Sequence, residues 1–379
     1  MKPTLDSKRR VAEVLLFQTC TYKCAYCCFA ESGTVLDASQ LKPYRDPEFI
    51  RLIANFFNKR TVDGWHWLLQ FTGGEPLLTP NFVLLCDLLA EFDNKIALYT
   101  AMMIGRNHAS FRYLLEKAAP FTDYLMVSFH PEAEAFEDEF FEKLRLLKQA
   151  GHQVIFRFVG HPKRLHRLDE LSDKCRAIDV SFYPTTLFSP EYPNAYSDEE
   201  RKKLYAHMSS MSQIIQMENG IDTRTTRCHA ANKVIYVDLP RGRITPCASV
   251  STPLIGHVYE DWLHLEEEPI ACPAAGIACS CDVHFQQDIV VGADDRAHFA
   301  QHKAGWVAPI PYGALQSEIE RTGLSFSAAT PGIGQTETSS DLILSKDVVR
   351  SRYQADAAKL AAYYDQYFAD EFLSRQKKS

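Results

Sequence analysis

The chain reads as an α/β protein wound around a parallel sheet, and two observations predict this. Between residue 11 and about residue 215, short apolar runs alternate with amphipathic stretches. The two kinds take turns along the chain, the pattern of right-handed βαβ units rather than of separate strand and helix blocks.

Taken in order, the strand-like runs are 11–17, 66–71, 95–101, 124–129, 153–159 and 179–184. The helical stretches are 46–58, 80–92, 108–118, 134–150, 165–177 and 197–216. The second strand runs from Trp65 into Phe-Thr-Gly-Gly-Glu-Pro-Leu-Leu over residues 71–78, where Pro76 ends it. Composition shifts after residue 216, so 1–216 is expected to be one unit. A linking run from Met217 leads into a second unit, 217–285, in which 233–239 reads as a strand, Pro240-Arg-Gly-Arg as a hairpin turn and 244–247 as the return. The last unit, 286–379, mixes Gly-, Pro-, Ser- and Thr-rich loops with a helical stretch from Asp347 to about Ser374, in which Leu360, Tyr363, Tyr364 and Tyr367 align.

Composition narrows the function. Of 379 residues, 46% are hydrophobic and 23% charged, as in a globular protein. No apolar run approaches the ~20 residues that cross a bilayer, and the N-terminus lacks a signal-peptide core. A net charge of −7 disfavours a nucleic-acid partner. Eleven cysteines in such a chain point to metal ligation in a reducing, cytoplasmic setting rather than to disulfides.

In parallel barrels ligands gather at the C-terminal ends of the strands. That rule selects the residues after the first strand, Glu75 after the second, Thr100 and Met102 at the third, Ser128 and His130 at the fourth, Arg157 on the fifth, and Thr185 and Thr186 at the sixth. Ser128 is either a ligand contact or a hydroxyl bonded to backbone. Arg157, between apolar neighbours in Val-Ile-Phe-Arg-Phe-Val, faces either the barrel lumen or solvent. His130, in Ser-Phe-His-Pro-Glu, is a weak candidate general base or a structural histidine. Cys86 and Cys175 fall on helical stretches and read as small core residues.

The run Thr19-Cys-Thr-Tyr-Lys-Cys-Ala-Tyr-Cys27 sets Cys20, Cys24 and Cys27 at the spacing C-x3-C-x2-C. Chance supplies such a triplet on the order of one time in a hundred for this cysteine content. Three thiolates on one loop hold three irons of a 4Fe–4S cubane and leave the fourth open. With Tyr26 before the last cysteine, the loop resembles that of the radical S-adenosylmethionine superfamily, and Gly73-Gly74-Glu75-Pro76 resembles the segment ending that family's second strand. Read alone, Gly-Gly-Glu-Pro is also an ordinary turn; Cys28 reads as a bystander beside the loop. The resemblance implies a partial (β/α)6 barrel and a 4Fe–4S cluster on Cys20, Cys24 and Cys27 whose open iron is chelated by S-adenosylmethionine. It implies that Tyr26, Gly73, Gly74, Glu75, Thr100, Ser128 and Arg157 contact the cofactor, with Glu75 at its amino end and Arg157 at its carboxylate. One electron from an external donor such as flavodoxin or ferredoxin then cleaves the cofactor to a 5′-deoxyadenosyl radical that takes a hydrogen atom from a substrate C–H.

Cys228, thirteen residues, Gly242, four residues and Cys247 resemble the opening of the SPASM and Twitch extensions of that superfamily. Cys272, Cys279 and Cys281 follow. Five cysteines match the shorter Twitch form. The resemblance implies an auxiliary 4Fe–4S cluster on Cys228, Cys247, Cys272 and Cys281, with Cys279 as the alternative to Cys281; zinc takes the same ligands. The 272/279/281 spacing departs from the SPASM pattern. Many peptide-modifying relatives carry a peptide-binding region ahead of the cluster loop, whereas here the loop begins at residue 20. The expected substrate is therefore a small metabolite, such as a sugar, aminocyclitol or amino-acid derivative in natural-product biosynthesis. A ribosomal peptide is the alternative, and a non-enzymatic iron–sulfur or zinc scaffold the reading of a different class.

Overall fold

In the computed structural model, β1 (Arg9–Leu15) is paired on both sides by parallel strands: β2 (His66–Thr72) and β8 (Val234–Asp238). The structure describes residues 8–20, 38–187, 192–218, 220, 227–250, 253–274 and 279. From β2 the sheet continues in sequence through β3 (Lys95–Thr100), β4 (Thr122–Phe129), β5 (Val154–Gly160) and β6 (Ser181–Thr186), every pairing parallel. The six expected strands are present, and the sheet is open rather than closed into a barrel among the described residues. None of the described helices is long and apolar enough to cross a membrane.

The crossovers are helical, as a parallel sheet requires. α1 (Pro47–Asn58) starts where the Asp46 side chain accepts from the Glu48 N–H, with Pro47 at the first helical position, and it buries Ile50, Ile53, Phe56 and Phe57. α2 (Phe82–Ala90) and α3 (Ala109–Tyr113) follow; the expected helix 108–118 is α for one turn only and then widens into a π-helical turn, Leu114–Ala118. α4 (Glu137–Gln149) carries three acidic residues in its first turn, which offset the helix dipole. α5 (Leu168–Ala177) packs on β6.

The expected helix 197–216 is in fact two, α6 (Asp198–Tyr205) and α7 (Met211–Met217). The cause is a buried capping box. Ser210 accepts from the Gln213 N–H, and the Gln213 carboxamide oxygen accepts from the Ser209 and Ser210 N–H groups at 2.8 and 2.9 Å. Serine competes with the helix for its own backbone donors, so the helix restarts there.

Register partners in a sheet share a face, and the two faces differ sharply. One face is packed by helices: Phe129 and Phe156 meet Phe140 and Phe141 of α4 with ring centroids 5.0 and 5.5 Å apart, and Phe182 stacks on Phe156 at 5.7 Å. The other face carries Glu13, Gln70, Tyr99, Tyr124, Ser128, Arg157 and Tyr183. It is concave. The Arg9–Asp123 ion pair, 3.2 Å, joins β1 to β4 over the two strands between them, and Gln70 donates to Tyr124 at 2.6 Å over the small side chain of Ala97. This face is the lumen.

The segment after α7 joins the same sheet. β8 pairs with β1, β9 (Arg243–Thr245) returns antiparallel to β8, and β10 (Gly256–His257) and β11 (Trp262–Leu263) extend the edge. The turn between β8 and β9 places Gly242 at φ 69°, where a Cβ would meet the Tyr259 ring at 2.5 Å. The glycine of the expected hairpin is thus required by its backbone and by its neighbour. β7 (Arg227–Cys228) and β12 (Ile270–Ala271) form a separate two-stranded ribbon. The expected helix within 347–374 lies outside the described residues.

Candidate functional site

Beyond β1 the chain runs alongside the turn that ends β2. The Gly74 N–H donates to the Phe17 carbonyl at 2.8 Å and the Glu75 N–H to the Thr19 carbonyl at 3.1 Å. A Cβ on Gly73, at φ 139°, would lie 2.2 Å from the Phe17 carbonyl oxygen, and one on Gly74 would lie 1.6 Å from that of Thr19. No side chain fits at either contact. The glycines therefore admit the chain that leads into the cysteine loop. Cys20, the next residue, is half-buried, and its Sγ lies 3.8 Å from the Met103 Sδ. Tyr26, Cys24, Cys27 and Cys28 lie outside the described residues.

Glu75 is fully buried. Its carboxylate accepts the Thr100 hydroxyl at 2.6 Å, the Ala101 N–H at 3.0 Å and the Leu77 N–H at 3.1 Å. Burial raises its pKa, and the hydrogen bonds it accepts oppose the rise. Thr100, expected to touch a ligand, spends its hydroxyl on Glu75 and accepts the Met102 N–H at 2.9 Å.

The upper lumen is polar. Ser128, Arg157 and Tyr183 stand abreast on β4, β5 and β6. Among the described residues the Arg157 Nε is buried without a hydrogen-bond partner, and the Tyr183 hydroxyl shares a 2.9 Å bond with Ser212. Thr185 donates to Gln216 at 2.9 Å, and Thr186 is buried at the strand end. His130 follows β4, and burial, with Arg164 and Arg157 nearby, pushes its pKa down to about 3. The imidazole is neutral near pH 7. Lower down stand Gln70, Tyr124 and Tyr99, joined by hydrogen bonds of 2.6 and 3.1 Å, with Glu13 beside Gln70. Glu13, Gln70, Tyr124 and Tyr183 were not picked out from the sequence. The available signal was a lone polar residue inside a buried apolar run, as in Val-Ala-Glu-Val-Leu.

The second cysteine group draws four thiols together. The register of β7 with β12 sets Cys228 opposite Ile270, two residues before Cys272. Cys247 follows β9, its carbonyl held by the Thr245 hydroxyl at 3.0 Å, and packs with Val250 and Ala274 against Cys272. Burial pushes the Cys228 thiol up to about 12 and the Cys247 thiol higher still; Cys279 and Cys272 are near enough to raise both further. The thiols converge without closing on a centre: among the described residues no three His, Cys, Asp or Glu side chains stand in metal-holding geometry. Cys279 is thus in the group. Cys281 lies outside the described residues.

No family model matches the chain. Similar solved structures include Streptococcus suis SuiB bound to S-adenosylmethionine, 16% identical over 67% of this chain and 64% of that chain, TM-score 0.45. Another is SuiB bound to its precursor peptide SuiA, 14% identical over 64% of this chain and 60% of that chain, TM-score 0.41. A third is native anSMEcpe with bound AdoMet and Cp18Cys peptide, 12% identical over 94% of this chain and 99% of that chain, TM-score 0.47. The chain thus spans less than two thirds of the length of SuiB.

Proposed function

We propose that this chain is a radical S-adenosylmethionine enzyme that receives a polar substrate in the lumen of its parallel sheet. One observation carries the reading: backbone bonds from Gly74 and Glu75 to Phe17 and Thr19 bring the Gly-Gly-Glu-Pro segment against the entrance to the C-x3-C-x2-C loop. The chain leading into the first motif and the second motif, far apart in sequence, meet at the C-terminal edge of the sheet, where such folds bind ligands.

The residues fit the group. Cys20, Cys24 and Cys27 supply three soft thiolates for a 4Fe–4S cluster and leave one iron for S-adenosylmethionine. When bound, the pair supplies one-electron cleavage of the sulfonium and hydrogen-atom abstraction from a substrate C–H. The chain's own residues bind and orient. Arg157, with an unspent Nε, and its neighbour Ser128 are placed to take a carboxylate. Tyr183, Gln70 and Tyr99 give the lumen hydrogen-bonding groups for a polar substrate. His130, neutral, serves as a hydrogen-bonding imidazole and not as a cationic acid.

Cys228, Cys247, Cys272 and Cys279 offer a four-thiol set for an auxiliary 4Fe–4S cluster, with Cys281 the alternative to Cys279 and zinc the alternative metal. A reduced flavodoxin or ferredoxin would be the electron source. A residue of a ribosomal peptide is the better-supported substrate, since SuiB and anSMEcpe have solved structures with bound peptides; a small metabolite of natural-product biosynthesis is the other reading.

The test is anaerobic reconstitution followed by reduction with dithionite. The protein should form 5′-deoxyadenosine from S-adenosylmethionine slowly without substrate. A protein that holds iron but forms none does not belong to this class.

A further inference from the structure

The end of β3 is a turn built around one carboxylate. The Glu75 carboxylate accepts from three donors: Thr100 Oγ1, and the N–H groups of Leu77 and Ala101. The same turn holds Met102 at φ 54°, an uncommon conformation for a residue with a Cβ. It is fixed from both sides, since the Met102 N–H donates to Thr100 Oγ1 at 2.9 Å and its carbonyl accepts from the buried Lys143 ammonium at 3.4 Å. The outcome is the 3.8 Å contact between the Met103 and Cys20 sulfurs. Meanwhile the Glu75 main chain holds Thr19, the residue before Cys20. Glu75 thus reaches Cys20 from two directions, by its backbone through Thr19 and by its side chain through Thr100 and Ala101, in the turn that leads to Met103.

We propose that Glu75 is a positioning residue, whose carboxylate folds residues 100–103 into the turn that lays the Met103 thioether on Cys20, shielding that sulfur and giving the iron centre a polarisable neighbour. The last clause rests on the function proposed above; the shielding does not. The role departs from the one the resemblance assigns to Glu75, a contact with the amino group of S-adenosylmethionine.

The full-length chain gives a direct readout. Trypsin releases Val11–Lys23, in which Cys20 is the one cysteine, so mass spectrometry follows its alkylation apart from Cys24, Cys27 and Cys28. In iron-free protein, Met103→Ala and Glu75→Gln should each be alkylated at Cys20 several-fold faster than the unaltered chain, with unchanged circular dichroism. Met103→Leu, which keeps the bulk, should match the unaltered rate. If Glu75→Gln fails to fold, Thr100→Val, which removes one donor, takes its place and should quicken alkylation to a smaller degree. In reconstituted protein Met103→Leu should keep its iron yet shift the g-values of the reduced centre. Equal Cys20 alkylation in the unaltered, Met103→Ala and Glu75→Gln proteins would overturn the proposal. So would a Glu75→Gln protein that binds S-adenosylmethionine over tenfold more weakly with Cys20 alkylation unchanged, because Glu75 would then be a ligand contact. Failure of the unaltered protein to bind iron would sink the radical reading and leave the alkylation result standing.

Discussion

Arg157 stands directly beside Ser128, its register partner on the neighbouring parallel strand, with both side chains on the lumen face. A guanidinium there, half-buried and with Nε unspent, has desolvation to recover from an anionic ligand. Arg157→Gln should weaken S-adenosylmethionine binding by about 1.5–3 kcal/mol, the worth of a charged hydrogen bond. Titration calorimetry on the reconstituted protein measures it, and an unchanged dissociation constant would place the carboxylate elsewhere.

Gly74→Ala should be among the most damaging single substitutions. Its Cβ would sit 1.6 Å from the Thr19 carbonyl oxygen, so backbone must move. We expect a loss of about 3 kcal/mol or more, with reduced iron retention on the first cysteine loop. Thermal unfolding and iron analysis check this, and a variant with ordinary stability and iron would show that residues 17–19 yield easily.

Reconstituted protein should hold near eight irons as two 4Fe–4S clusters. Replacing Cys20, Cys24 and Cys27 with Ala should remove about half. About four irons with one zinc in the intact protein would assign the second site to zinc.

The Cys228→Ala/Cys247→Ala double variant should still form 5′-deoxyadenosine but no product from the true substrate. Metal binding often supplies folding energy in such segments, so circular dichroism precedes the assay. Cys279→Ala and Cys281→Ala, compared for iron content, decide which is the ligand; the convergence of Cys279 with Cys228 and Cys247 favours the former.

Acid should destabilise the protein through two histidines that the fold holds neutral. Burial lowers His130 to about 3 and His161 to about 4 from an ordinary 6.5. Between those values the unfolded chain binds more protons than the folded one, so stability falls as pH drops below 6.5. Denaturant titrations across that window should show a shallower decline in His130→Gln, with His161 supplying part of what remains. An identical slope would mean that His130 is not held neutral by the fold.

The six strand–helix units were legible because apolar periodicity survives burial of one face. The split between α6 and α7 was not, because Ser209, Ser210 and Gln213 look like polar helix residues until the capping box is seen. Cys20, Gly73, Gly74 and Glu75 were legible as motifs, but what the glycines admit was not. A φ of 139° signals only that glycine is needed; the neighbour at 2.2 Å comes from elsewhere in the chain. Met103 carried no signal at all, since its position depends on a turn folded around a carboxylate from another strand.

The parallel pairing of β8 with β1 makes the chain harder to divide than its composition suggests. A fragment ending near residue 216 would lose the strand that saturates one side of β1, leaving the main-chain groups of Val11 to Leu15 bare along a strand of apolar residues. Such an edge recruits other chains, so the truncated piece should aggregate. The first cysteine loop, carried at the end of β1, thus depends for its footing on residues translated more than two hundred positions later.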